Sequence, residues 1–304
     1  MHKYVEEIGF NDIRVRLDRY TQERNEASVI GEPVWLNYRF GDFRFFEDLK
    51  KVRPDLIWYA DQGDKSISYD RARESLMLAG DWQAGEIQKI VLALLVKELG
   101  KNDLFLFHGS VARYRELNVM FMTGEENHGK TMCLIESARR GGKIISCEGS
   151  VLDRAGRILQ GTSDVFLNVR LGGTERADKP PAEGWKIFFD SLPEFKRIEG
   201  QIGDVDLVVL PSIDGHFDTV VAELGQFEKE YQTFSCLSLS YFLSHELVSC
   251  KIPPPIIEDW DLRVKRARFS NSFALRLPYF VIRAKSPQIV LDEVDNIIDE
   301  LNKE

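Results

Sequence analysis

The clearest hydrophobic period lies in DWQAGEIQKIVLALLVKELG, residues 81–100, where Ile87, Ile90, Val91, Leu94 and Leu95 share one helical face. Gly100 stands where a helix C-cap is expected. Before it, WLNYRFGDFRFF (35–46) is aromatic and partly alternating about Gly41, which predicts strands with a turn or bulge. Residues 1–100 therefore read as a β-rich region closed by one helix, and 101–304 as a second domain. In that domain short apolar runs predict strands: LFLFHGSVA (104–112), LNVMFM (117–122), KIISC (143–147), GRILQG (156–161), DVFLNVR (164–170), DLVVL (206–210) and FALRLPYFVIRA (273–284). Helices are predicted through TMCLIESARR (131–140) and through roughly 226–248, stopping before the prolines at 253–255. A last helix opens with Ser286 as N-cap and Pro287 at its first position, with Val290, Val294, Ile297 and Leu301 on one face. Mixed strands and helices indicate the α/β class. LGGTERADKPPAEGW (171–185) has the Gly, Pro and charge content of a surface connection or a lid.

Composition narrows the partners. A formal charge of −9 argues against binding a nucleic-acid backbone. No apolar run approaches the ~18 residues of a membrane span, and the N-terminus MHKYVEEIGFND lacks the apolar core of a signal peptide. Cys133, Cys147, Cys236 and Cys250 form no CxxC pair, so neither a disulfide framework nor a zinc site is implied, and the expected compartment is the cytoplasm.

The chemistry concentrates in GEENHGKT, residues 124–131, which has the spacing Gly-x-x-x-x-Gly-Lys-Thr. Glycines let backbone N–H groups converge on phosphate oxygens, the lysine reaches the β- and γ-phosphates, and the hydroxyl holds Mg²⁺. An apolar strand precedes the motif and an amphipathic helix follows it, as a phosphate loop requires. The nucleotide-contacting residues are then Gly124, Glu125, Glu126, Asn127, His128, Gly129, Lys130, Thr131 and Met132. Glu125 and Glu126 lower the local positive potential, which leaves Lys130 and Mg²⁺ more of the charge to neutralise. His128 either stacks on the nucleotide or faces solvent.

A downstream apolar strand ending in Asp is the usual metal-binding partner of such a loop. DLVVLPSID is a poor candidate because of its proline and the displaced Asp214. A nearer acidic strand end follows the loop helix, in RRGGKIISCEG (140–149). With LFLFHGSVA before the loop, and SVLDRAGRILQG after the acidic end, residues 104–161 resemble the HPr kinase/phosphorylase family and the related kinases of ribosomal peptide pathways. The resemblance implies a P-loop core of HPr-kinase (PEP carboxykinase-like) type and an ATP- and Mg²⁺-dependent kinase, often oligomeric. The acceptor hydroxyl would be a Ser or Thr side chain on a peptide or small protein. It also implies that Thr131 and Glu148 hold the metal, that Glu148 takes the hydroxyl proton, and that His108 lies beside it. Family members carry two acids at this strand end, whereas this chain has Cys147 and Glu148, and a thiol is a poor ligand for Mg²⁺. Asp153 or Asp164 could supply the second acid. A silent nucleotide-binding module and a small-molecule kinase are the alternatives. Elsewhere, DLRVKRARF (261–269), read as a strand, puts Arg266 and Arg268 on one face, for an acidic partner or as a protected edge. Arg170 and Arg176 are candidate γ-phosphate contacts.

Overall fold

The computed structural model describes residues 1–24, 28–123, 128–162, 164–168, 184–188, 196–198, 202–216, 218–241, 243, 247 and 252–303. The chain forms a mixed α/β structure that divides into two units, one of Met1–Phe105 with Leu237–Arg266, the other of Leu106–Cys236 with Ala267–Glu304.

The first unit contains β1 (His2–Phe10), β2 (Ile13–Thr21), α1 (Val34–Arg39), β3 (Arg44–Phe46), β4 (Leu56–Tyr59), β5 (Ser66–Asp70), β6 (Ser75–Ala79) and α2 (Ala84–Lys101). Its sheet runs β3-β1-β2-β4-β6-β5, parallel across β2, β4 and β6 and antiparallel at the margins. Leu56 and Trp58, and likewise Leu76 and Leu78, alternate into the core at the strand period of two. The five α2 residues predicted to share a face are buried, but so is nearly every position from Ile90 to Val96, so the helix is enclosed on more than one side.

Two differences from the sequence expectation follow from contacts across long separations. Residues 35–39 are helical rather than extended, and only Arg44–Phe46 form a strand. Gln88 on α2 explains this: its Oε1 accepts from the N–H groups of Trp35 (2.9 Å) and Leu36 (3.1 Å), while its Nε2 donates to the carbonyls of Ile30 and Glu32. A buried amide thus satisfies the first turn of α1, which has no side-chain cap of its own. Gly100 lies inside α2, whose C-cap is Asn102. The glycine serves a close approach instead: a Cβ there would stand 2.3 Å from the Tyr241 hydroxyl, which donates to the carbonyl of Val96 (3.1 Å).

The second unit begins with β7 (Phe105–Tyr114), β8 (Leu117–Met122), α3 (Lys130–Arg139), β9 (Lys143–Ser146), β10 (Gly149–Leu152) and β11 (Ile158–Gly161). After the two-stranded β12 (Asp164–Asn168) and β13 (Gly184–Phe188) come β14 (Lys196–Arg197), β15 (Leu207–Ile213), β16 (Val220–Glu223) and α4 (Gln226–Ser238). α5 (Trp260–Ala274), β17 (Tyr279–Ala284) and α6 (Pro287–Leu301) complete the chain. The main sheet runs β11-β10-β7-β8-β15-β17-β16, with β9 on β7 and β14 on β9. β8, β15 and β17 are mutually parallel. On one face Val119, Phe121, Leu207, Val209 and Ile282 pack against Cys133 of α3 and against Val290, Val294 and Ile297 of α6. The other face carries Phe107, whose ring meets Phe269 and Phe273 of α5 at 6.0 and 5.2 Å, and Tyr279, whose hydroxyl bonds Thr233 of α4. Helices on both faces of a sheet with a parallel centre are the α/β arrangement.

Several boundaries move. α4 ends at Ser238 and a 3₁₀ turn spans Leu239–Tyr241; of the rest of the predicted stretch to 248, Leu243 is helical and its carbonyl accepts from Leu247 N–H, while 242, 244–246 and 248 lie outside the described residues. Residues 261–269 are helical, not a strand: Arg266 is 1% exposed, paired with Glu258 and set over the Tyr241 ring, so it presents no surface to an acidic partner. β17 starts at Tyr279 because α5 runs to Ala274. Ser286 caps α6 as predicted, accepting from the N–H of Ile289. Of the candidate lid, Gly184 and Trp185 open β13, while 171–183, with Arg176, and Arg170 lie outside the described residues.

Replacing Gly100 with alanine should cost about 1–3 kcal/mol of unfolding free energy through overpacking. In a Tyr241→Phe background the same substitution should cost nothing, or gain up to ~1 kcal/mol from helix propensity. Urea melts of the four proteins read this coupling, and an equal penalty in both backgrounds would remove the steric explanation.

Candidate functional site

The site grows from the end of β8. Thr123 follows the strand directly, residues 124–127 (Gly124, Glu125, Glu126 and Asn127) lie outside the described residues, and the chain returns at His128 to enter α3. Two contacts fix that return. Ile213, the last residue of β15, donates its N–H to the carbonyl of His128 at 3.2 Å. The Ile213 side chain also lies so close to Gly129 that an added Cβ would be 2.5 Å from its Cδ1. Gly129 sits at φ +105°, a conformation that L side chains rarely adopt. Both space and dihedral therefore exclude a side chain here.

Lys130 is buried at the first position of α3, and its Nζ donates to Thr123 Oγ1 at 3.2 Å. The ammonium thus folds back across the mouth of the loop, at a helix N-terminus whose dipole already favours an anion. Thr131 is half-buried in the same turn. Met132 turns the other way and packs against the core of β8, β15 and α6, so its side chain belongs to the interior.

Glu148 and His108 come together as the resemblance implies. Glu148 follows β9, His108 lies on β7, and Glu148 Oε1 is 2.5 Å from His108 Nε2, with both side chains buried. The backbone beneath the carboxylate is held from three sides. Thr162 Oγ1 accepts from the N–H groups of Glu148 (2.9 Å) and Gly149 (3.0 Å), Gly109 N–H donates to the Glu148 carbonyl (2.9 Å), and Ser110 Oγ donates to the Cys147 carbonyl (2.6 Å). Thr162 and Ser110 escaped sequence reasoning because a lone hydroxyl on a strand carries no local signal.

Cys147 is not the second member of an acidic pair in space. Glu148 faces His108, whereas Cys147 is fully buried with Ala112, Leu134, Ala138 and Ile144. Asp153 is engaged in its own hairpin, accepting from the N–H groups of Ala155 and Arg157 and from the Arg157 guanidinium. The Asp164 side chain lies outside the described residues. Among the described residues no three His, Cys, Asp or Glu side chains converge as a metal site, and no helix is long and apolar enough to cross a membrane.

Cys236 on α4 connects the two halves of the site. Its thiol donates to the His108 carbonyl at 3.4 Å. Burial pushes that thiol up to about 11, against the opposing pull of the Lys130 ammonium. Lys130, Cys236, His108 and Glu148 thus form a continuous neighbourhood within the second unit. Beside it opens a cavity of about 510 Å³ lined by Thr123, His128, Ser212, Tyr231, Val281 and Arg283 among others, at the carboxyl ends of β8 and β15. Ligands of open parallel sheets bind in such a crevice.

A Cys147→Asp exchange should therefore destabilise the fold by at least about 3 kcal/mol, since it buries a carboxyl among apolar groups. Cys147→Ala should cost only ~1 kcal/mol. Denaturant midpoints distinguish the two, and a Cys147→Asp protein as stable as the parent would place this side chain elsewhere.

A scan against protein-family models finds no match for this chain, and a search of curated proteins finds none either.

Proposed function

We infer that this chain binds Mg-ATP through residues 124–131 and transfers the γ-phosphoryl group to a hydroxyl, that of a Ser or Thr side chain on a peptide or small protein. The observation that carries the reading is the return of the loop at Gly129 and Lys130. A left-handed glycine, closed on by Ile213, precedes a helix whose first residue is a buried lysine bonded back to Thr123. Backbone N–H groups beside a left-handed residue at a helix start form an anion-binding concavity, and a Cβ at 129 would collide with Ile213 and shift the turn that forms it. The order of elements supports an HPr-kinase-like core: β7 with His108, β8, the loop, α3, then β9 ending at Glu148.

Each residue then has a role that phosphoryl transfer requires. Lys130 neutralises phosphate charge. Thr131 and Glu148 would hold Mg²⁺, which would supply neutralisation of phosphate charge. Glu148 accepts the proton of the attacking hydroxyl as the new P–O bond forms and the bond to the ADP oxygen breaks. His108, bonded at Oε1, fixes the carboxylate rotamer. The burial of Cys147 in the apolar cluster gives it no part in the chemistry, so its presence is no sign of lost catalysis. A nucleotide-binding module without turnover remains the competing reading, because a single carboxylate serves both as metal contact and as base.

Labelled ATP decides between them. The wild-type protein should bind Mg-ATP and either phosphorylate an acceptor peptide or hydrolyse ATP slowly. Lys130→Ala should reduce nucleotide affinity and turnover together, the latter by about 10²-fold or more. Glu148→Gln should lower turnover by about 10²–10⁴-fold while ATP still binds. Binding without turnover in the wild type would favour the silent module. No binding at millimolar ATP would refute both.

A further inference from the structure

Four large exposed hydrophobic side chains crowd into residues 220–231 of the second unit: Val220 and Val221 on β16, Phe227 and Tyr231 on α4. Phe227 and Tyr231 are 79% and 60% exposed and stack on each other with centroids 6.4 Å apart. β16 ends the main sheet, and all four of its residues are exposed. Among the described residues no strand pairs with its outer edge. An apolar patch beside an open strand edge is a binding surface or an aggregation hazard.

The cavity joins this edge to the phosphate loop. Val220 and Tyr231 form one part of its lining, and Thr123 and His128 another. Val220 also faces Arg283 directly across the antiparallel β16–β17 pair, and both residues line the cavity. A path therefore runs from the open edge, past Arg283, to Thr123 and the Lys130 ammonium bonded to it.

We propose that the β16 edge binds an extended cationic peptide, which adds as a strand beside Val220–Glu223 and turns one Ser or Thr side chain into the cavity toward Lys130. This names the acceptor of the phosphotransfer reading and rests on it. A nucleoside base would fill the cavity but would leave the main-chain groups of β16 without a strand partner, whereas an extended peptide satisfies them. The residues two places either side of the acceptor share its face of the strand, about 6.8 Å away, where Tyr231 and Phe227 offer apolar contact. Charge selects the rest of the peptide. Residues 218–230 carry Asp218, Glu223, Glu228 and Glu230 against the single cation Lys229, so basic flanks are attracted and acidic ones repelled.

The probe is a fluorescein-labelled heptapeptide pool with Ser at the centre, Val, Leu or Phe two places either side, and Lys at both ends. A matched pool has Glu at the ends. Anisotropy should show the Lys-ended pool binding wild-type protein at least about tenfold more tightly than the Glu-ended pool. Val221→Lys and Phe227→Ser, neither of which lines the cavity, should each weaken binding about tenfold, leaving ATP affinity and the melting temperature unchanged. Val52→Lys, at an exposed position in the first unit, should change nothing. The surface assignment is overturned if the Lys-ended pool fails to bind, if the two β16–α4 variants bind it normally, or if ATP alone displaces it, which would give the cavity to the base. ATP binding and turnover without pool binding would sink this proposal alone. Pool binding without ATP binding would leave the peptide surface standing and remove the phosphotransfer reading.

Discussion

The turn from β8 into α3 must pass within contact of the Ile213 side chain, and much of the second unit is organised around that passage. Ile213 belongs to the cluster that joins β15, β17, α3 and α6, so its position is set by core packing rather than by the loop. A residue with a Cβ at 129 would have to displace it. The hydrogen bond from Ile213 to His128 adds a main-chain constraint from the same strand end. The loop's return is thus templated by the hydrophobic core, and Lys130 begins its helix with little choice of direction. Preorganisation of this kind is what phosphate binding needs, because donors already aimed at an anion lose little entropy when it arrives.

Much of this was legible in the sequence, for identifiable reasons. β8, α3 and α6 follow from local signals: an apolar run, an amphipathic period, and a Ser-Pro start that the Ser286 hydroxyl confirms by capping Ile289. Glu148 and His108 were brought together by an order of elements rather than by anything nearby in the chain, and the fold pairs them across 40 residues. What stayed hidden depends on distant partners. The helix at 34–39 needs the amide of Gln88, Gly100 needs the Tyr241 hydroxyl, and the basic run at 261–269 became helical with Arg266 buried against Glu258. The different surroundings of the buried Cys147 and Glu148 side chains were hidden too. An aligned motif gives position along the chain, and side-chain direction has to come from the folded turn between β9 and β10.

That turn also separates the surroundings of Cys147 from those of Glu148. Cys147 fills a small apolar gap beneath α3, and its partners Leu134 and Ala138 come from the loop helix itself. The residue therefore packs beneath α3 while its neighbour faces His108. Two adjacent positions thus serve an apolar cluster and a polar pair separately, and a volume change at Cys147 would be felt through α3.

Tyr241 follows Gly100 by about 140 residues, yet its hydroxyl bonds the α2 backbone at Val96. On a ribosome adding ~5–20 residues per second, α2 emerges roughly ten seconds or more before the segment that covers it. During that interval a helix apolar on several sides has only its own sheet for shelter. The intervening unit, by contrast, is continuous in sequence apart from its last strand and helices. The insertion thus delays completion of the first unit until Arg266 has emerged, and places the burden of avoiding association in that interval on α2.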